Sequence, residues 1–252
     1  NSISVPVHSP LDIDTILKAE KEAKRTKVFL LRNGGLAAVP RRLPHMSFLR
    51  EVDLSSNRIV ELPYELGDLS KLKVLNMSHN ILAQLPHSLG ECSLLRSINV
   101  SHNTIESIPE SFGRLTRLRD ADFSNNALAT VPATFSSCLG LIYLNFAHNI
   151  LETLPVGWCQ MIQLEELNVS YNRLHAIPDE YAELLQLRKL DFRGNSIDRI
   201  PAGVLTDTSL DRIYTHENPV HAILKQMQGY REFQARKVER VKALGWPPEP
   251  DP

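Results

Sequence analysis

The stretch Leu49–Lys71 reads LREVDLSSNRIVELPYELGDLSK, and the chain repeats it every 23 residues. Asn57, Asn80, Asn103, Asn126, Asn149, Asn172, Asn195 and Asn218 keep that spacing without a slip. So do Pro40, Pro63, Pro86, Pro109, Pro132, Pro155, Pro178 and Pro201, half of the 16 prolines. In the second unit Leu72, Leu75, Met77, Leu82, Leu85 and Leu89 form one apolar set. A single unit of this length cannot bury such a face alone, so successive units must stack on one another.

Each column of the repeat has its own physical task. The LxxLxL segment supplies a short strand with alternate residues turned inward. Strands of neighbouring coils then pair in parallel, about 4.8 Å apart. The turn asparagine can donate to and accept from the backbone of adjacent coils, satisfying groups that a tight bend would bury. The proline after LxxL fixes φ and needs no donor, which suits an irregular outer segment. The pattern LxxLxLxxNxLxxLP is that of a leucine-rich repeat. The expected fold is an α/β solenoid: a horseshoe with a parallel concave sheet, an irregular convex side and helical caps at both ends.

Composition agrees with a continuous core. The 252 residues are 42% apolar and 23% charged. The net charge of −1 gives no bulk attraction to nucleic acid or to an anionic membrane. No apolar run approaches the length of a spanning helix. Cys92 and Cys138 occupy the column of Leu69, Leu115 and Leu184 and read as small core residues. They lie two coils, about 10 Å, apart, too far for a disulfide. Extracellular repeat arrays usually carry cysteine-rich caps, and neither end has one, so a cytoplasmic location is expected. The N-x-S matches at Asn76, Asn99 and Asn168 arise from the repeat itself.

Residues 1–25 are read as an N-terminal segment with a capping helix from Leu11 to Arg25, its apolar stripe formed by Ile13, Ile16, Leu17 and Ala23. Residues 26–218 hold about eight repeats and a final half-repeat. The outer column Leu66, Leu89, Phe112, Phe135, Trp158, Tyr181 and Val204 is expected to fill the convex side. Asp207 breaks the next apolar column and marks the end of the array. Residues 219–252 are read as a capping helix and a proline-rich tail. That helix should run from Val220 to Ala243, with Gly229 as a point of interruption. Val220, Ile223, Leu224, Met227, Tyr230 and Phe233 would cover the last coil, and the face beyond Phe233 is basic.

The repeat resembles that of the short intracellular Ras-group leucine-rich repeat proteins. AKRTKVFLLRNGGLAAVP (Ala23–Pro40) and IYTHENPVHAILKQMQGYREFQARKVERVKALG (Ile213–Gly245) are similar to the two ends of the array in the family of leucine-rich repeat-containing protein 57. The resemblance implies a cytoplasmic, non-enzymatic adaptor, and its Ras-group side implies a small GTPase or a phosphatase as the partner. That family begins Met-Gly-Asn-Ser, whereas this chain begins Asn1-Ser2-Ile3-Ser4. If Met and Gly precede Asn1, the start fits the N-myristoylation pattern, giving a peripheral membrane adaptor as the alternative reading. One acyl chain anchors weakly, so the basic cap helix would serve as the second signal.

For recognition, departures from the consensus on the concave sheet matter most. His79, His102, His148 and Tyr171 share one column, and Tyr143 stands where other coils have Glu51, Val74, Ser97 and Asp120. Exposed aromatics are common anchors for a protein partner. Tyr143, His148, Tyr171, His102 and Asn145 are the expected contacts, with Glu166, Lys189 and Arg193 tuning specificity. Arg50, Lys73, Arg96 and Arg119 line the edge where the strands begin. Ordinary variation at solvated positions is the alternative for both sets. No nucleophile elbow, phosphate loop or CxxC is present, and His79 with His102 lacks the further ligands a zinc site needs. The expectation is therefore a monomer without cofactor, catalytic residue or metal that binds another protein.

Overall fold

The structure is a computed structural model and describes residues 13–244. Among the described residues, nine three-residue strands form one parallel sheet in strict chain order. They are β1 (Val28–Leu30), β2 (Glu51–Asp53), β3 (Val74–Asn76), β4 (Ser97–Asn99), β5 (Asp120–Asp122), β6 (Tyr143–Asn145), β7 (Glu166–Asn168), β8 (Lys189–Asp191) and β9 (Arg212–Tyr214). Every pairing joins residues 23 apart, as in Val52 to Leu75 and Leu75 to Ile98. The central residue of each strand is buried: Phe29, Val52, Leu75, Ile98, Ala121, Leu144, Leu167, Leu190 and Ile213 all point inward.

The asparagine column is a hydrogen-bonded spine. Asn149 Nδ2 donates to the carbonyls of Phe123, Phe146 and Ala147 at 3.0, 3.0 and 3.3 Å, and its Oδ1 accepts from the Leu128 amide at 2.9 Å. One side chain thus ties two coils together at a bend too tight for the backbone to satisfy itself. The convex side carries one short 3-10 turn per coil, for example Tyr64–Asp68 and His87–Glu91. Each starts from a proline whose carbonyl accepts the first bond of the turn, as Pro63 does from Leu66 at 3.0 Å. The convex column from Leu66 to Val204 is buried throughout. Its aromatics stack into the sheet side of the core, Phe146 lying 5.2 Å from Phe123 and 5.4 Å from Trp158. At Asp207 the apolar column ends, and the last outer segment is a helix, α2 (Ala202–Thr206).

Both caps differ in detail from expectation. The first helix, α1, is Ile13–Thr26, and Leu11 lies outside the described residues. Its packing stripe is Ile16, Ala19 and Ala23, whereas Ile13 and Leu17 are exposed at 72% and 45%. Glu20 replaces them beside the first coil, 8% exposed and paired with Arg42 at 3.3 Å. The C-terminal cap is not one helix. A 3-10 stretch, Pro219–Gln226, precedes α2's packing partner α3 (Tyr230–Leu244), and Gly229 at φ +88° makes the break. Ile223, expected to cover the last coil, faces outward at 43%, because the tighter 3-10 winding rotates it away from Val220 and Leu224.

The basic face of α3 is largely used within the protein. Arg236 donates to the carbonyls of Leu205, Thr206 and Leu210, and Arg240 pairs with Asp211. Lys225 and Lys237 have partners as well. The carbonyls at the end of the final coil are thereby satisfied by a cation rather than by a further coil. No helix among the described residues is long and apolar enough to cross a membrane.

Candidate protein-binding face

The concave face is built from three columns. The first is the leading residue of each strand from β2 to β9: Glu51, Val74, Ser97, Asp120, Tyr143, Glu166, Lys189 and Arg212. The second, Asp53 to Asp191, serves the turn more than the surface. Asn76, Asn99 and Asn168 each accept from the amide and hydroxyl of the serine two residues on, at 2.8–3.1 Å. Asp53 does the same with Ser55 and pairs with Arg32 at 2.8 Å. Burial alone would raise its carboxyl, but the Ser55 bonds and Arg32 outweigh it and hold the group below its ordinary value.

The third column explains the histidines. Asn33, Ser56, His79, His102, Asn125, His148, Tyr171, Gly194 and Glu217 stand 23 apart, and all are left-handed, with φ between 53° and 62°. Their amides reach the next coil, as His102 does to Ser124 at 2.9 Å and His148 to Ser170 at 2.8 Å. Among side-chain-bearing residues, asparagine and histidine tolerate this conformation best. Most of the column therefore has a backbone reason. Tyr171 does not, since a bulky aromatic in this region is an outlier. Its ring stacks on His148 at 4.4 Å and overlies Gly194, where an added Cβ would come within 2.8 Å of its Cε1.

The expected contact residues fall into three groups. Tyr143, Glu166 and Lys189 are register neighbours on β6–β8. His148 and Tyr171 form the stacked pair beside them. His102 belongs to a separate stack with His79, at 4.1 Å, and Asn125 stands between the two stacks. Asn145 is only 8% exposed and its Oδ1 accepts from the Ala147 amide, so little of it faces a partner. Glu166 is bridged by Lys189 at 3.3 Å and by Arg212 at 3.4 Å. Arg193 is held by both Asp191 oxygens and lies 5.2 Å from the Tyr214 ring centroid. The role of Arg212 was missed from sequence; its place 46 residues after Glu166, two full periods, was the available signal.

Titration follows from this geometry. Burial, then the neighbouring His79, hold the His102 imidazole below its ordinary value, with a smaller push from His148, against the pull of Asp122. Folding thus disfavours its proton: stability is complete above the ordinary value near 6.5 and is lost as pH falls through the lowered one. Wild type is expected to lose more thermal stability between pH 7.5 and 5 than His102→Asn, which keeps a residue suited to the bend. Equal losses in melting scans would contradict this.

The thiols are not activated. Burial pushes Cys92 up to about 11 and Cys138 to about 12, and Cys159 is raised by burial and by Glu183. Among the described residues no three His, Cys, Asp or Glu side chains converge as a metal site would require.

Comparison with known proteins agrees with this geometry. The family described as Leucine rich repeat matches residues 47–105. No curated protein matches the chain. Among solved structures, a leucine-rich repeat protein of Leptospira interrogans is 24% identical, with a TM-score of 0.68, over 79% of this chain and 57% of its own. The plant peptide hormone receptor RGFR1, solved in complex with RGF2, is 25% identical, with a TM-score of 0.67, over 72% of this chain and 30% of its own. The ectodomain of the Arabidopsis thaliana receptor kinase GASSHO1/SCHENGEN3, in complex with CASPARIAN STRIP INTEGRITY FACTOR 2, is 25% identical, with a TM-score of 0.58, over 72% of this chain and 26% of its own. The chain therefore spans less than two thirds of each of these proteins.

Proposed function

We propose that this leucine-rich repeat solenoid is a non-enzymatic scaffold that binds another protein across its concave sheet, centred on Tyr143, His148 and Tyr171. The observation that carries the reading is Tyr171, a large aromatic kept in a left-handed bend, 37% exposed and stacked on His148. Such a conformation persists only where the surroundings fix it, and it leaves a rigid ring facing outward, as binding anchors require. Half-buried Tyr143 and the Glu166–Lys189–Arg212 bridge border the ring pair and would select among partners. The two plant receptors lend support, since each was solved with a bound factor on the same architecture.

The partner class is a small GTPase or a phosphatase, a reading that rests on the Ras-group resemblance of the repeat. The lipid-anchored alternative depends on residues outside those described. Pulldown with Tyr143→Ala/Tyr171→Ala is expected to weaken the capture of wild-type partners at least tenfold, equivalent to more than about 1.4 kcal/mol. Retention of every partner by the double variant would reject this patch.

A further inference from the structure

Outside the concave face, the flank that leads into the strands changes character halfway along. In the residue before each strand, the first coils carry Arg50, Lys73, Arg96 and Arg119. Lys71 and Arg117, two positions earlier, add to the same edge. None of these six forms an ion pair with a described residue, whereas Arg188, further along this edge, pairs with Glu165 at 3.9 Å. Glu51 and Asp120 lie in the next column, on the concave side.

The later coils add apolar surface to this edge, where the residue before the strand is Ile142 and then the paired Glu165 and Arg188. Where earlier coils have Ser70, Ser93 and Thr116, the next three have Leu139, Ile162 and Leu185. These are exposed at 50%, 56% and 55%. Ile142 also takes the place of the cations that precede the strands, and it is half-buried beside them. Three large aliphatics on consecutive coils form a continuous ridge about 4.8 Å per step. Isolated exposed leucines need no explanation, but an aligned run beside a row of unpaired cations does.

We infer that this flank is a second docking surface, for a protein segment that carries a block of carboxylates next to a block of apolar side chains. The occupant follows from complementarity: carboxylates opposite Arg50 to Arg119, apolar side chains over Leu139 to Leu185. The strip covers six coil steps, about 29 Å, which a helix of about 20 residues or a shorter extended segment spans. A bilayer fits it poorly. Membrane surfaces favour apolar groups projecting beyond a set of cations, whereas here the two lie end to end along the solenoid. A nucleic acid would engage the cations and leave the ridge uncovered.

The test begins with a random peptide library of about 20 residues displayed on phage and selected on the full chain. Recovered peptides are then titrated by fluorescence anisotropy against wild type and three variants whose circular dichroism melts match it. The variants are Arg96→Glu/Arg119→Glu, Ile162→Ser/Leu185→Ser and, on the concave face, His102→Asn/His148→Asn, which keeps residues suited to the left-handed bend. The expected result is peptides with adjoining acidic and apolar blocks. Each flank variant should weaken them at least about tenfold and the concave variant less than about twofold, and added salt should weaken wild-type binding. Peptides lacking those blocks, or bound equally by the flank variants, overturn the inference. Peptides sensitive only to His102→Asn/His148→Asn also overturn it while favouring the concave site. Cosedimentation of wild type with phosphatidylserine vesicles that Arg96→Glu/Arg119→Glu abolishes would transfer the strip to a lipid surface and overturn it too.

Discussion

Asn126→Leu is expected to lower the free energy of unfolding by about 1–3 kcal/mol. The amide of Asn126 donates to the carbonyls of Val100, Phe123 and Ser124 at 3.1, 2.9 and 3.2 Å. Its Oδ1 accepts from the Ile105 amide at 3.0 Å. Leucine fills a similar volume, so the loss is one of hydrogen bonds and not of packing. The Ile105 amide and the Val100 carbonyl both lie on the preceding coil; the amide would be left without an acceptor in a half-buried bend, at about 1–3 kcal/mol, while the carbonyl would keep only its bond from Asn103 at 2.9 Å. Because both belong to the neighbour, the damage falls on the interface between coils, which is where a solenoid's cooperativity resides. Urea unfolding should show a lower midpoint. An unchanged midpoint would refute the role assigned to the whole asparagine column.

The second large effect is expected at Gly90, and it comes from space alone. Gly90 lies in a 3-10 turn that stacks against the turn of the following coil. A Cβ there would stand 2.6 Å from Ser111 Cβ and 2.7 Å from its carbonyl carbon, with the carbonyl oxygen nearer still. Gly67 meets Ser88 and Gly113 meets Thr134 in the same way. These neighbours are backbone atoms that cannot rotate aside, so the two turns would have to separate. Separation would also strain the bond from Ser111 Oγ to the His87 carbonyl, now 2.6 Å. Gly90→Val is expected to cost about 3 kcal/mol, the upper part of the usual range for overpacking. Gly157→Ala is the control. Its Cβ would meet only the Ser136 side chain, at 3.2 Å and beyond, and should cost less than about 1 kcal/mol. Equal melting temperatures for the two variants would show that the close stacking is absent.

These two residues differ in how readily their roles could be read. Asn126 repeats at a fixed interval with its amide chemistry intact, so its task could be argued before any coordinates. Gly67, Gly90 and Gly113 also recur every 23 residues, but their alignment alone reads as an ordinary turn column. The importance of Gly90 comes from a distance between backbones, and no residue pattern encodes a distance. The histidine column lies between these cases. Its alignment was visible, but its left-handed backbone was not, and that conformation gives histidine a reason to be there apart from binding. Tyr171 became the stronger candidate because it lacks that reason. Asn145 became a weaker one because its side chain is drawn into the strand-to-turn hydrogen bonds.

The caps make the same division. Their positions and helical nature follow from composition, but which residues face the array does not. Leu17 and Ile223 satisfy a helical stripe on paper and are exposed, while Glu20 is buried. Small changes in winding and docking angle rotate a cap by a whole side chain, and short helices have too few contacts to fix that angle locally.

The amino-acid sequence by itself determined the 23-residue coil, the order and register of all nine strands, the inward leucines and the asparagine spine. A repeat states these relations many times over, and stacking copies of one unit leaves a single way to pair them. Only the tertiary structure decided which rings stack, which charges are already spoken for, and where turns touch through glycine. Those depend on ångström separations between neighbouring coils, which curvature and packing set together.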